Sequence, residues 1–225
     1  LQNKIVVVKL TGKIFDEKEL IGKYVELFEK LTNKYHLVVV TGGGKKAREY
    51  IEIARNLGVS SNYWLDLIGI MASRLNAYLL ISKLYPKAYY KPVENLEELH
   101  NAVLSNKIVF VGGLIPGQST AAVAVEVSEA LSVNKLIMVS AVDHVYERDP
   151  MKYANAKKYT EIEASKLKKI IEQQILPGEY ALIDVKALDL AIRSKITIYI
   201  TYYREPENIL KILNGENPGT IIYPR

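Results

Sequence analysis

Along the chain, short unbroken apolar runs alternate with stretches in which apolar residues recur every three or four positions. Residues 5–10 form the first run, of the kind a parallel sheet buries on both faces. Leu20, Tyr24, Leu27 and Leu31 then recur at helical spacing, which predicts a helix over 17–33. A second strand is predicted over 36–40 and ends at Thr41-Gly42-Gly43-Gly44. Helices follow over 45–57, stopped by Gly58, and over 64–84, stopped near Pro86. Next come a short strand at 88–90, a helix over 96–104 and a strand over 107–111 that runs into Gly112-Gly113. A helix over 120–131 and a strand over 135–139 lead into the loop-rich span 140–160. The remainder predicts helices over 163–173, 184–194 and 206–213, a strand over 196–201, and a tail at 220–223.

Strand–helix alternation of this kind implies right-handed crossovers, hence an α/β fold: a three-layer α/β/α sandwich with a central, mostly parallel sheet. No linker or internal repeat divides the chain, so 1–225 reads as one domain with one continuous sheet and two lobes of function. The one shift in composition comes near Val139, after which Tyr, Lys and Pro are more frequent.

Composition narrows the function classes. Hydrophobic residues make up 49% and charged residues 24%, as in an ordinary globular chain, which excludes disorder and collagen-like repeats. No uninterrupted apolar run approaches the roughly 18–20 residues of a spanning helix, so no membrane segment is expected. Cys is absent, which removes disulfides, thiolate metal sites and a thiol nucleophile. His36, His100 and His144 are far apart, so any metal is expected on oxygen ligands or on a substrate, and no metal-ligating residue is assigned. The first residues lack the order of a signal peptide, which points to the cytoplasm. The net charge of +5 is dispersed apart from a lysine cluster at 166–169. Small phosphorylated anions therefore explain it at least as well as nucleic acid, and no nucleic-acid partner is expected. Abundant Lys and scarce Gln match a bias seen in heat-adapted proteins.

Ligands of open α/β sheets sit beyond the carboxyl ends of the strands. Four such ends here are glycine-rich or polar. Lys9-Leu10-Thr11-Gly12-Lys13 closes the first strand and Thr41-Gly42-Gly43-Gly44 the second. A later one carries Gly112, Gly113, Leu114, Ile115, Pro116, Gly117, Gln118, Ser119 and Thr120, and the next Ser140-Ala141-Val-Asp143-His144-Val-Tyr146 and Asp149-Pro150. Glycine lets backbone approach a ligand, and a helix starting just after it offers free N–H groups to an anion. One such turn is commonly only a tight turn; four at successive strand ends, with two lysines beside the first, favour phosphate handling. The P-loop, the dinucleotide fingerprint and the protein-kinase motifs are all missing.

These segments resemble the amino acid kinase family. With Arg48, Asp66 and the run to Arg74 and Asn76, Pro116-Gly117-Gln118-Ser119-Thr120, and Asp184 through Arg193, the chain is similar to the archaeal uridylate (UMP) kinases within it. The resemblance implies transfer of the γ-phosphoryl group of ATP to UMP, with Mg²⁺. Positioning and charge neutralisation supply most of the catalysis of such a transfer. It makes Lys9, Lys13 and Asp184 catalytic: Lys9 bridging the transferring group, Lys13 on the ATP phosphates, Asp184 orienting Lys9 and the metal. It assigns UMP to Gly43, Arg48, Asp66 and Gly113 through Thr120. ATP falls to Lys9, Leu10, Thr11, Gly12, Lys13, Gly44, Arg48, Ser140, Ala141, Asp143, Tyr146 and Asp149. Residues 1–135 become mainly the UMP and transfer lobe, and 136–225 mainly the ATP lobe.

It further implies a homo-oligomer, a hexamer, with 64–84 as a subunit face or, more plainly, as core. Arg74 and Asn76 read at least as readily as structural or subunit-contact residues, and Asp66 and Asp184 also have a helix-cap reading, which for Asp66 can hold together with ligand binding. The chain departs from the family pattern at Ala121, where many members have Asp, and at Ala141 and His144, where the usual residues are Asn and Gly. His144 reads as a surface loop residue. Alternatives are another phosphotransferase of the family (acetylglutamate, carbamate or isopentenyl phosphate kinase) or a nucleotide-binding protein with impaired catalysis.

Overall fold

The computed structural model describes residues 4–150, 152–153, 155–173 and 182–225. The strands are β1 (Lys4–Leu10), β2 (Tyr35–Thr41), β3 (Val109–Val111), β4 (Lys135–Ser140), β5 (Val145–Tyr146), β6 (Lys158–Tyr159), β7 (Glu161–Glu163), β8 (Thr197–Tyr202) and β9 (Thr220–Tyr223). Seven of them form one sheet in the order β3-β2-β1-β4-β8-β9-β7, while β5 and β6 make a separate two-stranded hairpin. Every pairing in the large sheet is parallel except β8 with β9.

The helices are α1 (Lys18–Leu31), α2 (Gly44–Asn56), α3 (Asn62–Leu84), α4 (Leu96–Val103), α5 (Thr120–Ala130), α6 (Ala164–Gln173), α7 (Val185–Arg193) and α8 (Asn208–Leu213). Alternation along β1 and β2 splits the core into two layers. Val7, Val38 and Val40 face a cluster with residues of α5 and α7. Val6, Val8, Leu37 and Val39 face the opposite cluster, built on α1, the end of α3 and α8. Phe28 lies between Tyr24 and Phe110 there, with ring centroids 6.1 and 6.4 Å away.

Three readings of the sequence need correction. The span 88–90 is no strand: Ala88 makes only an isolated bridge to Ile108. The tail 220–223 is a strand, β9, inserted between β8 and β7. The loop-rich span 140–160 contains the β5–β6 hairpin. Apart from these, α3 is the one helix among the described residues long and apolar enough to cross a membrane. It is nevertheless a wall of the sandwich, because Leu80, Ile81 and Leu84 enter the core and its polar residues hold the strand-end loops, as described next. Its remaining face is uncovered: Trp64 is 56%, Met71 56% and Leu75 66% exposed. Reading 64–84 as core therefore holds for one side of this helix only.

Candidate active site

The carboxyl ends of β1 and β2 cross backbone to backbone. Gly42 N–H donates to the Leu10 carbonyl at 3.0 Å, and Thr11 N–H to the Val139 carbonyl at 3.0 Å. A Cβ on Gly12 would stand 2.0 Å from the Gly44 nitrogen, so only glycine fits where the loops touch. Gly44 has φ +67°, a left-handed conformation that other residues adopt at a cost, and α2 begins there. Side chains of α3 hold these loops. Asn76 Nδ2 donates to the Gly42 carbonyl at 2.8 Å and to that of Gly43 at 3.3 Å. Gly113 N–H donates to Ser73 Oγ at 2.7 Å, and Arg74 Nε to the Gly113 carbonyl at 3.2 Å. Arg74 also pairs with Glu94. Arg74 and Asn76 are thus structural.

A cleft of about 250 Å³ opens between α2, α3 and the start of α5. It brings together Gly43, Gly44, Arg48, Asp66, Gly113, Gln118 and Thr120, which the sequence singles out. Ala47, Ile51, Gly69, Ile70 and Ser73 also line it and were not assigned to it. Helical periodicity carries their signal: 44, 47, 48, 51 and 66, 69, 70, 73 are each one face of a helix. Asp66 is half-buried and its Oδ2 accepts from Gly117 N–H at 2.8 Å, so it braces the Pro-Gly turn. It does not cap its own helix, whose N-cap is Ser61. Leu114 packs against the core and Ile115 is exposed, so neither side chain lines the cleft. Ser119 caps α5, accepting from Ala122 N–H at 3.0 Å. Gln118 Nε2 donates to Glu126, while its Oε1 is buried without a partner among the described residues.

Lys9, near the end of β1, is half-buried. Desolvation pulls its pKa from the ordinary 10.5 to about 8, against the opposing pull of the Asp184 carboxylate. Asp184 caps α7, accepting from Ala187 N–H at 3.0 Å, and also accepts from the Ser119 hydroxyl. Cap and neighbour of Lys9 are the same residue. Lys13 stands exposed on the 3₁₀ turn Gly12–Asp16, and Arg48 is exposed one turn into α2.

At the end of β4, Ser140 is buried and its Oγ accepts weakly from Val142 N–H at 3.5 Å. Asp143 Oδ1 accepts from the Tyr146 hydroxyl at 2.8 Å, and Oδ2 lies 2.9 Å from His144 Nδ1. Although desolvation pushes the other way, these bonds hold the Asp143 carboxyl below its usual range. Burial and the same bond push Tyr146 up to about 12. The His144 side chain is only 13% exposed and stacks edge-on with Tyr146, centroids 6.5 Å apart. The surface-loop reading of His144 is corrected accordingly: it packs into this cluster. Ala141 is half-buried, Leu10 is fully buried and offers only backbone, and the Asp149 carbonyl accepts from Tyr153 N–H at 2.9 Å. Among the described residues no three carboxylate or imidazole side chains cluster as a cation cage.

Comparison with known proteins shows the family and the fold. The sequence pattern of the amino acid kinase family matches residues 4–202. A uridylate kinase of Staphylothermus marinus is 61% identical over 220 residues, 97% of this chain and 98% of that protein. One from Sulfurisphaera tokodaii is 44% identical over 225 residues, 97% of this chain and 99% of its own. The crystal structure of uridylate kinase from Archaeoglobus fulgidus matches with a TM-score of 0.87 at 37% identity, covering 97% of this chain and 99% of that one. The UMP kinase of Ureaplasma parvum, at 21% identity and a TM-score of 0.80, shares the fold. The chain belongs to the amino acid kinase family.

Proposed function

We propose that this protein transfers the γ-phosphoryl group of ATP to UMP, giving ADP and UDP. The observation that carries the reading is the contact of Gly12 with Gly44, which joins the Arg48–Asp66 cleft to the stretch between Lys9 at the end of β1 and Lys13 on the 3₁₀ turn. One wall of backbone thereby runs from the cleft to the loop between Lys9 and Lys13. A phosphate oxygen of UMP attacks the γ-phosphorus as the bond to the ADP oxygen breaks, with nucleophile and leaving group in line.

Arg48 grips the UMP phosphate through its guanidinium fork. Asp66 has one oxygen on Gly117 and offers the other to the ribose hydroxyls. Lys9, partly stripped of water, interacts with the transferring group more strongly than an exposed lysine does, and the anionic phosphates in turn favour its charged form. Lys13 takes the ATP phosphates, and the segment from Ser140 to Asp149 takes the base and ribose.

The donor set suits a hard divalent cation carried largely by the nucleotide. Asp184, with the Ser119 hydroxyl, supplies oxygen ligands next to Lys9 without forming a cage of its own. Mg²⁺ held there would neutralise charge on the phosphates. Residues 1–135 then serve mainly acceptor and transfer, and 136–225 mainly ATP.

The uncovered face of α2 and α3 supports a homo-oligomer, which the resemblance makes a hexamer. Tyr50, Ile53, Trp64, Met71, Leu75 and Leu79 are all about half exposed or more, and exposed apolar side chains gathered on two neighbouring helices are what a subunit interface covers. The same reading places the reaction in the cytoplasm, with no nucleic acid or membrane as partner. A coupled ADP-release assay at elevated temperature with ATP, Mg²⁺ and each of UMP, CMP, AMP and GMP tests the assignment. Strong preference for UMP is expected; equal rates on all four, or none, defeats it.

A further inference from the structure

Glu17 stands at the N-cap position of α1, yet its side chain makes no bond to that helix. Its carboxylate is committed elsewhere. Glu17 Oε1 accepts from the Tyr203 hydroxyl at 2.8 Å and from Arg204 Nη2 at 3.0 Å. Arg204 Nε donates to the Tyr203 hydroxyl at 3.0 Å, and its guanidinium lies 5.4 Å from the centre of the Tyr203 ring.

Tyr203 is buried and tied at both ends of its backbone. Its N–H donates to the Ser140 carbonyl at 2.9 Å, and its carbonyl accepts from the Tyr24 hydroxyl at 2.8 Å. One residue therefore links the last residue of β4, where the segment 140–149 departs, to the first turn of the chain. On that side Glu17 N–H closes the 3₁₀ turn by donating to the Ile14 carbonyl at 3.3 Å, and Lys13 is carried on the same turn.

Resting on the function proposed above, we propose that Glu17, Tyr203 and Arg204 form a positioning strut that fixes the span between Lys13 and the segment after Ser140. ATP must reach across that span, phosphates to Lys13 and base to the segment. None of the three residues touches the nucleotide in this assignment. They act through Lys13: its ammonium is useful only when the turn beneath it is held at the right distance from the base site. The Glu17 charge is answered first by the Tyr203 hydroxyl and Arg204, and only last by Lys13. The acceptor cleft, built on α2 and α3, is not part of the strut.

The test is a double-mutant cycle. Tyr203→Phe keeps the buried ring and removes only the hydroxyl, and Glu17→Gln keeps the shape of the side chain. Each is combined with Lys13→Ala, with turnover measured against ATP and against UMP and ATP affinity measured by calorimetry. Each single variant is expected to lower kcat/KM for ATP by about tenfold while KM for UMP stays within about twofold. In the Lys13→Ala background the further loss should fall below about twofold, because the strut has nothing left to position.

Losses that multiply in that background, an equal effect on UMP, or unchanged kcat/KM for ATP in both single variants each overturn the strut. Arg204→Gln, at an exposed position, provides a third variant should either of the others lower the melting temperature markedly. A wild-type chain that binds ATP but leaves UMP untouched defeats the reaction assignment instead. The strut is then decided by whether ATP affinity falls in the single variants and not further in the double ones.

Discussion

Arg48 and Asp143 are both charged side chains just beyond strand ends, one on each side of the site, and they are prepared for a ligand in opposite ways. Arg48 is exposed one turn into α2 with no partner among the described residues, whereas both carboxylate oxygens of Asp143 are occupied, by Tyr146 and His144. The ground around Arg48 is held by backbone contact and by α3 side chains bonded to carbonyls. The ground around Asp143 is held by side chains bonded to one another. An acceptor entering the cleft meets an open cation on a rigid frame. A donor nucleotide that uses Asp143 has to exchange partners with Tyr146 or His144. The first arrangement favours affinity at little reorganisation, and under the function proposed above the second would make ATP binding sensitive to the local cluster.

The largest effect that would break this comparison lies where the two sides meet. Lys9→Ala should lower turnover by roughly 10²–10³-fold in steady-state assays, with the fold retained by circular dichroism. The same site carries an opposite effect on stability. Between pH 8 and 10.5 the unfolded chain keeps the Lys9 proton that the folded chain has released, so this group makes the protein more stable as pH rises through that window. Lys9→Met should therefore raise the melting temperature of the ligand-free protein at pH 7 and flatten that rise at high pH. A variant melting no higher than wild type at pH 7 would place the amine in water.

Arg48→Ala comes next, with KM for UMP rising about 10–100-fold and KM for ATP within about twofold. An unchanged UMP value returns Arg48 to the surface. Asp143→Asn should raise KM for ATP by about 3–10-fold and leave UMP alone, because a single exchanged bond is at stake. Smallest of all, His144→Gly, which frees one Asp143 oxygen, should shift KM for ATP by no more than about threefold. A larger shift would make His144 part of the nucleotide contact.

Much of this was legible in the sequence because strand ends announce themselves. The runs 5–10 and 36–40 stop at glycines, and the spacing of Asp66, Gly69, Ile70 and Ser73 lies open to a helical reading. What could not be read was which glycine touches which, since Gly12 and Gly44 meet across 32 positions of chain. Nor could apolar content tell which face of α3 is covered, because that helix is apolar on nearly all sides. His144 looked like loop because its partners, Asp143 and Tyr146, are neighbours in sequence and give no long-range signal. The short strands β5, β6 and β7 have two or three residues each, too few for a period to show.

The position of β9 has a consequence for how the molecule is made. β9 lies between β8 and β7, so β7 has no place in the sheet until residues 220–223 have been synthesised and threaded beside β8. On the ribosome, β1 to β4 can pair as they emerge, while 161–163 must wait through some sixty further residues before gaining a neighbour. The half of the protein that includes Asp143 and Asp184 therefore matures last, and a nascent chain stalled short of β9 would carry the Arg48–Asp66 cleft but lack Thr220, which holds the Val145 N–H beside Asp143.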